Sequence, residues 1–303
     1  MRDTPQIVDA HHHFWDLSRN NYPWLSSPAL IPFRYGDYSA LKRNYLPHDY
    51  AKDTTAHRIV ASVHIEADHD HADPLRETLW LENVRAVHGL PSVCVAFAAL
   101  DAENVDEVLS AQASRPLVRG IRHKLPIARS PADAVRNAPG SLDDPHWRRG
   151  FALLNDYGLS FDLQTAWWHM DAAADLADDF PETRIVINHS GLPADRSPEG
   201  LAGWRKAMEL VARKANVFVK ISGLGVPGRD WSLESNGPII RSLVQIFGVD
   251  RCMFASNYPV DSLCATYDQI VSVFTDALSD LNYTNLDKIF NKNAIKFYRI
   301  EMK

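Results

Sequence analysis

Short apolar runs rich in β-branched residues recur along the whole chain, and between them apolar residues return at helical three- and four-residue spacing. The runs predict eight strands, at 6–14, 59–67, 92–100, 117–125, 158–165, 183–190, 217–223 and 252–259. The intervening amphipathic segments predict helices at 74–88, 103–114, 145–157, 168–180, 200–214, 238–247 and 266–278, with a closing helix over 284–301. Strand–helix alternation repeated eight times is the α/β pattern of a (β/α)8 TIM barrel, with an open doubly wound sheet as the alternative.

Two segments interrupt the alternation. Residues 16–57 follow the first strand and contain Tyr22, Trp24, Phe33, Tyr35, Tyr38 and Tyr45, too many aromatics for a solvated linker. A connection leaving a strand emerges at the C-terminal face of a barrel, where such folds place their active sites, so this insertion is expected either to cover a pocket like a lid or to pack as a satellite cluster. A second loop, 127–145, follows the fourth strand. No repeat beyond the strand–helix unit is visible, so residues 1–303 are expected to form one barrel domain with 16–57 as a lid-like insertion.

Composition narrows the partners. The 303 residues carry 32 Lys and Arg against 38 Asp and Glu, a net charge of -6, which offers no basic field to a nucleic acid. Cys94, Cys252 and Cys264 are odd in number and widely spaced, as expected of buried thiols in a reducing compartment. The start of the chain lacks an apolar leader run, and no stretch has the length of a membrane span, so a cytoplasmic protein with no membrane partner is expected.

The densest chemistry is Asp9-Ala10-His11-His12-His13, closing the first strand. Period-two geometry places Asp9, His11 and His13 on one face, and Ala10 and His12 on the other. Paired imidazoles one residue apart suit a divalent cation, although two hydrogen-bonded histidines read equally well. Further polar groups stand at other strand ends: His64 and Glu66, then Arg122 with Lys124 or His123 alone, then Asp162 and Gln164, His189, Lys220 and Ser222, and Asn257 with Tyr258. Burying so many without partners is unfavourable, and a solvated catalytic mouth accounts for them more simply.

The first-strand HxH, the sixth-strand phrase NHSGLP, GIR on the fourth and RCMFASNYPVD on the eighth together resemble the amidohydrolase superfamily, in its amidohydrolase-2 branch that includes sugar-lactone and dicarboxylate-lactone hydrolases. The resemblance runs over nearly the full chain. It implies a TIM barrel, attack of water on a lactone or related ester, and inward histidines at His11, His13 and His189. The chain departs from the pattern at Asn257, where members of the superfamily typically carry an aspartate that binds metal and takes the proton of the attacking water. A neutral amide cannot act as that base.

Two mechanisms follow from the resemblance. In one, a single zinc or manganese ion sits on His11, His13 and His189, and Asn257 positions the water. In the other no metal is used, and Glu66, Asp261 or His189 takes the proton. Arg122 is the expected substrate-binding group, joined by His123, and Trp15, Trp167, Trp168 and Tyr258 are expected to stack on a ring. The expected activity is opening of an aldonolactone or carboxylated lactone in carbohydrate or aromatic catabolism. Alternatives are a metal-dependent decarboxylase of an aromatic or unsaturated acid and a non-catalytic sugar-acid-binding barrel. The expected partner is a small-molecule substrate, with a second copy of the chain as a further partner through the aromatic insertion.

Overall fold

A computed structural model describes residues 5–302. Eight parallel strands follow one another in chain order around a single sheet: β1 (Ile7–His12), β2 (Ile59–Ile65), β3 (Val93–Phe97), β4 (Val118–Arg122), β5 (Ser160–Leu163), β6 (Ile185–Ile187), β7 (Val217–Ile221) and β8 (Cys252–Phe254). Just past β8, Asn257 N donates to His11 O and His13 N donates to Tyr258 O, each at 2.7 Å, which joins the last strand to the first. Asp9 fastens the same seam, accepting from Ser256 N at 2.9 Å and Ser256 Oγ at 2.5 Å. The result is the TIM barrel that the alternation predicts. Each strand is shorter than its apolar run because the polar residues at its end leave the sheet to build the mouth.

Residues of alternating parity divide the two sides of the sheet. Val8, Ala10, Val63, Ile65, Val95, Val186 and Met253 fill the barrel together with Phe297 and Tyr298 of the C-terminal helix, which plugs the end opposite the mouth. Ile7, Ile121, Phe161, Ile185, Val219 and Phe254 face the surrounding helices. Both faces are apolar, as parallel strands buried on both sides require.

Local signals set the helix starts. Asp144 caps helix Pro145–Asp156 by accepting from His146 N at 2.8 Å, and Ser197 caps Pro198–Val211 by accepting from Gly200 N at 3.0 Å, each followed by a proline whose missing N–H is no loss in a first turn. Helix Leu233–Phe247 starts five residues before the expected 238, because Ser232 supplies the cap and Pro238 is accommodated inside the helix. The tail is a helix Tyr283–Asp287, a π-helical turn Lys288–Lys292 and a helix Asn293–Tyr298.

The 16–57 segment contributes both to the core and to the cavity wall. Tyr22, Tyr38, Tyr45 and Tyr50 are buried in the main core, whereas Trp24, Phe33 and Arg34 line the cavity at the barrel mouth. No helix among the described residues is long and apolar enough to cross a membrane.

Candidate active site

The ladder between β1 and β2 pairs Asp9 with Ser62 and then His12 with His64, so one extra residue is inserted between them on β1. This bulge shifts the phase of the strand and corrects the face assignment made from strict alternation. Val8 and Ala10 point into the barrel, and Asp9 points out, where it also accepts from Tyr50 OH at 2.9 Å. Beyond the bulge His11 and His13 turn inward, while His12 points outward to Ser62 Oγ at 2.9 Å.

His11 therefore lies between two other imidazoles. Its ring centroid is 5.0 Å from that of His13 and 4.6 Å from that of His189. Burial holds all three well below the ordinary imidazole pKa, assisted by Lys220 and neighbouring imidazoles at His11, by the Arg122 charge at His13, and by the Arg34 and then Arg122 charges at His189. His13 Nδ1 is 2.7 Å from Ile65 O, and a carbonyl can only accept, so Nδ1 carries the proton and Nε2 keeps its lone pair. His189 Nδ1 meets Ser222 Oγ at 3.1 Å.

His13, His189 and Asn257 line a cavity of about 350 Å³ together with Arg122, Lys124 and Gln164. Arg122 is only 2% exposed. Its Nε donates to Glu66 Oε1 at 2.5 Å, Nη1 to Gln164 Oε1 at 3.0 Å and Nη2 to Glu66 O. Two of the five guanidinium N–H groups remain for a ligand. Lys124 pairs with Asp68.

Asp261 and Glu66, both candidate bases, are not at the cavity surface. Asp261 is fully buried behind Asn257: Oδ1 accepts from Asn257 Nδ2 at 2.6 Å and from Tyr35 OH at 2.7 Å, and Oδ2 accepts from Gly223 N at 3.2 Å. Burial raises its carboxyl to about 6 against the pull of the Arg34 charge and these hydrogen bonds. Glu66 is committed to Arg122 and Asp68 N.

Of the four residues expected to stack on a ring, Trp168 lines a side cavity, and the other three lie away from the main one. Trp15 is buried behind His13 and donates to Arg43 O at 2.6 Å, and Tyr258 donates to Ala265 O at 2.8 Å. Trp167 fills the space over Gly203, where a Cβ would come within 2.6 Å of its ring. His123 points outward, because Arg122 and Lys124 take the inward positions, and it accepts from Leu100 N and Trp147 Nε1. Aromatic walls do exist, but Trp24 and Phe33 of the insertion supply them.

Sequence patterning did not single out Gly223 or Arg34. Gly223 has φ +61°, and a Cβ there would stand 2.7 Å from that of His189, so any side chain would displace the imidazole. Arg34 donates to Gly223 O and Tyr35 OH, joining the insertion to the seventh strand end. Backbone strain gathers here too. Asp68, His189, Ser190, Leu192 and Asn257 are five of the seven described non-glycine residues with positive φ, and such clustering is characteristic of functional sites.

The donors meet a metal ion only in part. Both ring nitrogens of His11 are buried without a partner, and His13 Nε2 is available. Among the described residues, however, no group of three or more His, Cys, Asp or Glu is placed to hold an ion.

The amidohydrolase family model matches residues 8–300, and the chain belongs to that family, in its amidohydrolase-2 branch, and is an enzyme. A protein of Sinorhizobium fredii described as uncharacterized, y4mH, is 39% identical, covering 97% of this chain and 98% of the relative. An L-fucono-1,5-lactonase of Burkholderia multivorans is 28% identical, covering 88% of this chain and 86% of that protein. An amidohydrolase of Burkholderia multivorans solved with bound zinc superposes with a TM-score of 0.80 at 24% identity, covering 98% of this chain and all of the other, and so shares the fold.

Proposed function

We propose that the chain is a lactonase, which adds water to the ester carbonyl of a small lactone and releases a hydroxy acid. The observation that carries this reading is the meeting of two kinds of group in one cavity: the imidazoles of His13, whose Nε2 keeps a lone pair, and of His189, and the N–H donors of Arg122 and Lys124. A cavity of about 350 Å³ suits a single five- or six-membered ring with substituents. The likeness to an L-fucono-1,5-lactonase supports the same class.

In this reading water is held between His13 Nε2, His189 and the Asn257 Oδ1, with Asp261 fixing the amide so that its oxygen faces the cavity. As the water oxygen bonds to the carbonyl carbon, an imidazole accepts its proton. Negative charge collects on the carbonyl oxygen, where the unused Arg122 N–H groups and Lys124 stabilise it. The ring C–O bond then breaks and the imidazolium returns the proton to the departing oxygen. Both kinds of group are already in place before substrate arrives, which is the source of the electrostatic advantage. No step is routed through a metal, because the three-donor set is incomplete.

The test is acid release, followed with a pH indicator, from 1,4- and 1,5-aldonolactones and carboxylated lactones with and without chelator. Turnover on any of them upholds the reading. Turnover retained in chelator assigns the chemistry to the protein groups alone, and turnover lost places an ion on His11 and His13. Absence of turnover on the whole panel contradicts the reading.

A further inference from the structure

The acids at the mouth neutralise only some of its cations. Glu66 pairs with Arg122 and Asp68 with Lys124, but among the described residues no carboxylate lies within ion-pair distance of Arg34, Arg196 or Arg229. Arg34 interacts electrostatically with Asp261, yet both oxygens of that carboxyl already accept hydrogen bonds. These three arginines come from different connections, those after β1, β6 and β7; Arg34 meets Arg196 at one cavity and Arg196 meets Arg229 at another.

A side cavity of about 150 Å³ shares Arg34, Ile127 and Leu192 with the main cavity and reaches Arg196. Arg196 also lines an adjoining recess of about 10 Å³, room for roughly one water-sized group. Arg196 Nη2 is pinned by Leu224 O at 2.8 Å and Asn236 Oδ1 at 3.4 Å, while its Nε and Nη1 are buried without a partner. Trp231 Nε1, at the same recess, is a third buried donor without an acceptor. Asp230 borders the recess too, without pairing to an arginine. Buried donors without acceptors are unfavourable, and a guanidinium favours an anionic acceptor over a neutral one.

We propose that Arg196, with Arg34 and Arg229 beside it, forms an anion subsite that receives the carboxylate or phosphate of an acidic lactone whose ring occupies the main cavity. This rests on the lactonase reading above and sharpens it: the substrate is charged at the end remote from the ester. The hydrolysed bond is unchanged, and the anion serves to orient the ring in the main cavity.

Matched pairs test this directly. Values of kcat/KM are measured for D-glucaro-1,4-lactone against D-glucono-1,4-lactone, for the galactaro and galactono pair, and for 6-phosphoglucono-1,5-lactone against its unphosphorylated form. The acidic member is preferred by the wild type in at least one pair, and the pair concerned tells carboxylate from phosphate. Arg196→Met lowers that preference by about tenfold or more, mainly through KM. Arg196→Lys keeps the charge, loses the fork and falls between, which also serves if the methionine variant does not fold. No preference in any pair, or a preference that survives both substitutions, overturns the subsite and leaves the lactonase reading standing. If no lactone is turned over, that reading fails by itself, and the subsite is judged by thermal stabilisation with glutarate and with inorganic phosphate. Stabilisation by either anion that Arg196→Met abolishes upholds the subsite, and its absence overturns it.

Discussion

Two buried ion pairs sit in this barrel at different depths. Lys220 and Asp162 meet inside the barrel, both fully buried, and Asp162 also accepts from Tyr298 OH at 3.1 and 2.9 Å. Arg122 and Glu66 meet at the mouth with side chains only 2% and 1% exposed. By burial alone the pairs are indistinguishable, and both stood out in the sequence as charged residues on apolar strands. They differ in what remains unpaired. The deep pair is closed over by the tyrosine of the C-terminal helix and lines neither the main nor the side cavity, whereas Arg122 lines the main cavity and keeps two N–H groups without a protein acceptor. A buried charge is thus a poor guide to function until its unused donors are counted.

Replacing either cation probes that difference. Arg122→Met is expected to lower kcat/KM on the best lactone by about a thousandfold, since it removes the oxyanion donors and leaves Glu66 unpaired. Lys220→Met is expected to destabilise the fold by about 3–5 kcal/mol, read by denaturant melts, because Asp162 is left buried without its cation. Adding Asp162→Asn should recover much of that loss. If Lys220→Met instead removed activity from a fully stable protein, the two pairs would not differ as described.

Smaller effects come from the eighth-strand end. Asn257→Asp places a second carboxylate where the amide nitrogen now lies 2.6 Å from Asp261. The repulsion is expected to lower kcat by about tenfold or more rather than restore a missing base. Asp261, raised to about 6 by burial, should give kcat an acid limb, falling as pH drops through that value and the carboxylate stops accepting from Asn257 and Tyr35. Asp261→Asn is expected to erase the limb and lower the plateau by about tenfold. The stability effect runs oppositely. With its pKa raised from 3.8, Asp261 holds its proton longer in the folded state, so it makes the fold less stable as pH rises across 3.8 to about 6, and Asp261→Asn should flatten that slope in pH-dependent melts.

Much of this was legible in the chain. All eight strands fall within their predicted runs, because a strand buried on both faces needs an unbroken apolar segment. His13, His189, Arg122 and Asn257 were found for a related reason: polar residues ending such segments must emerge at the mouth. The bulge in β1 was invisible, since one inserted residue leaves composition unchanged and reverses the strand phase. Asp261 looked free to act as a base because sequence spacing says nothing about the donors that Tyr35 and Gly223 bring from other segments, or about the nearby Asn257 amide turning onto it. Arg34 and Arg196 lie in connections without periodicity, and Gly223 is only the last residue of the seventh run, so tertiary contacts are what show their place at the site.

The central claim is that the imidazoles and N–H donors of the cavity hydrolyse a lactone. It is tested most directly by the mass of the product formed from the panel of neutral and acidic lactones, with Arg122→Met as the control. The account predicts a product heavier than the substrate by one water, formed by the wild type and almost lost in the variant. A product lighter by carbon dioxide, or hydrolysis indifferent to Arg122, would contradict it.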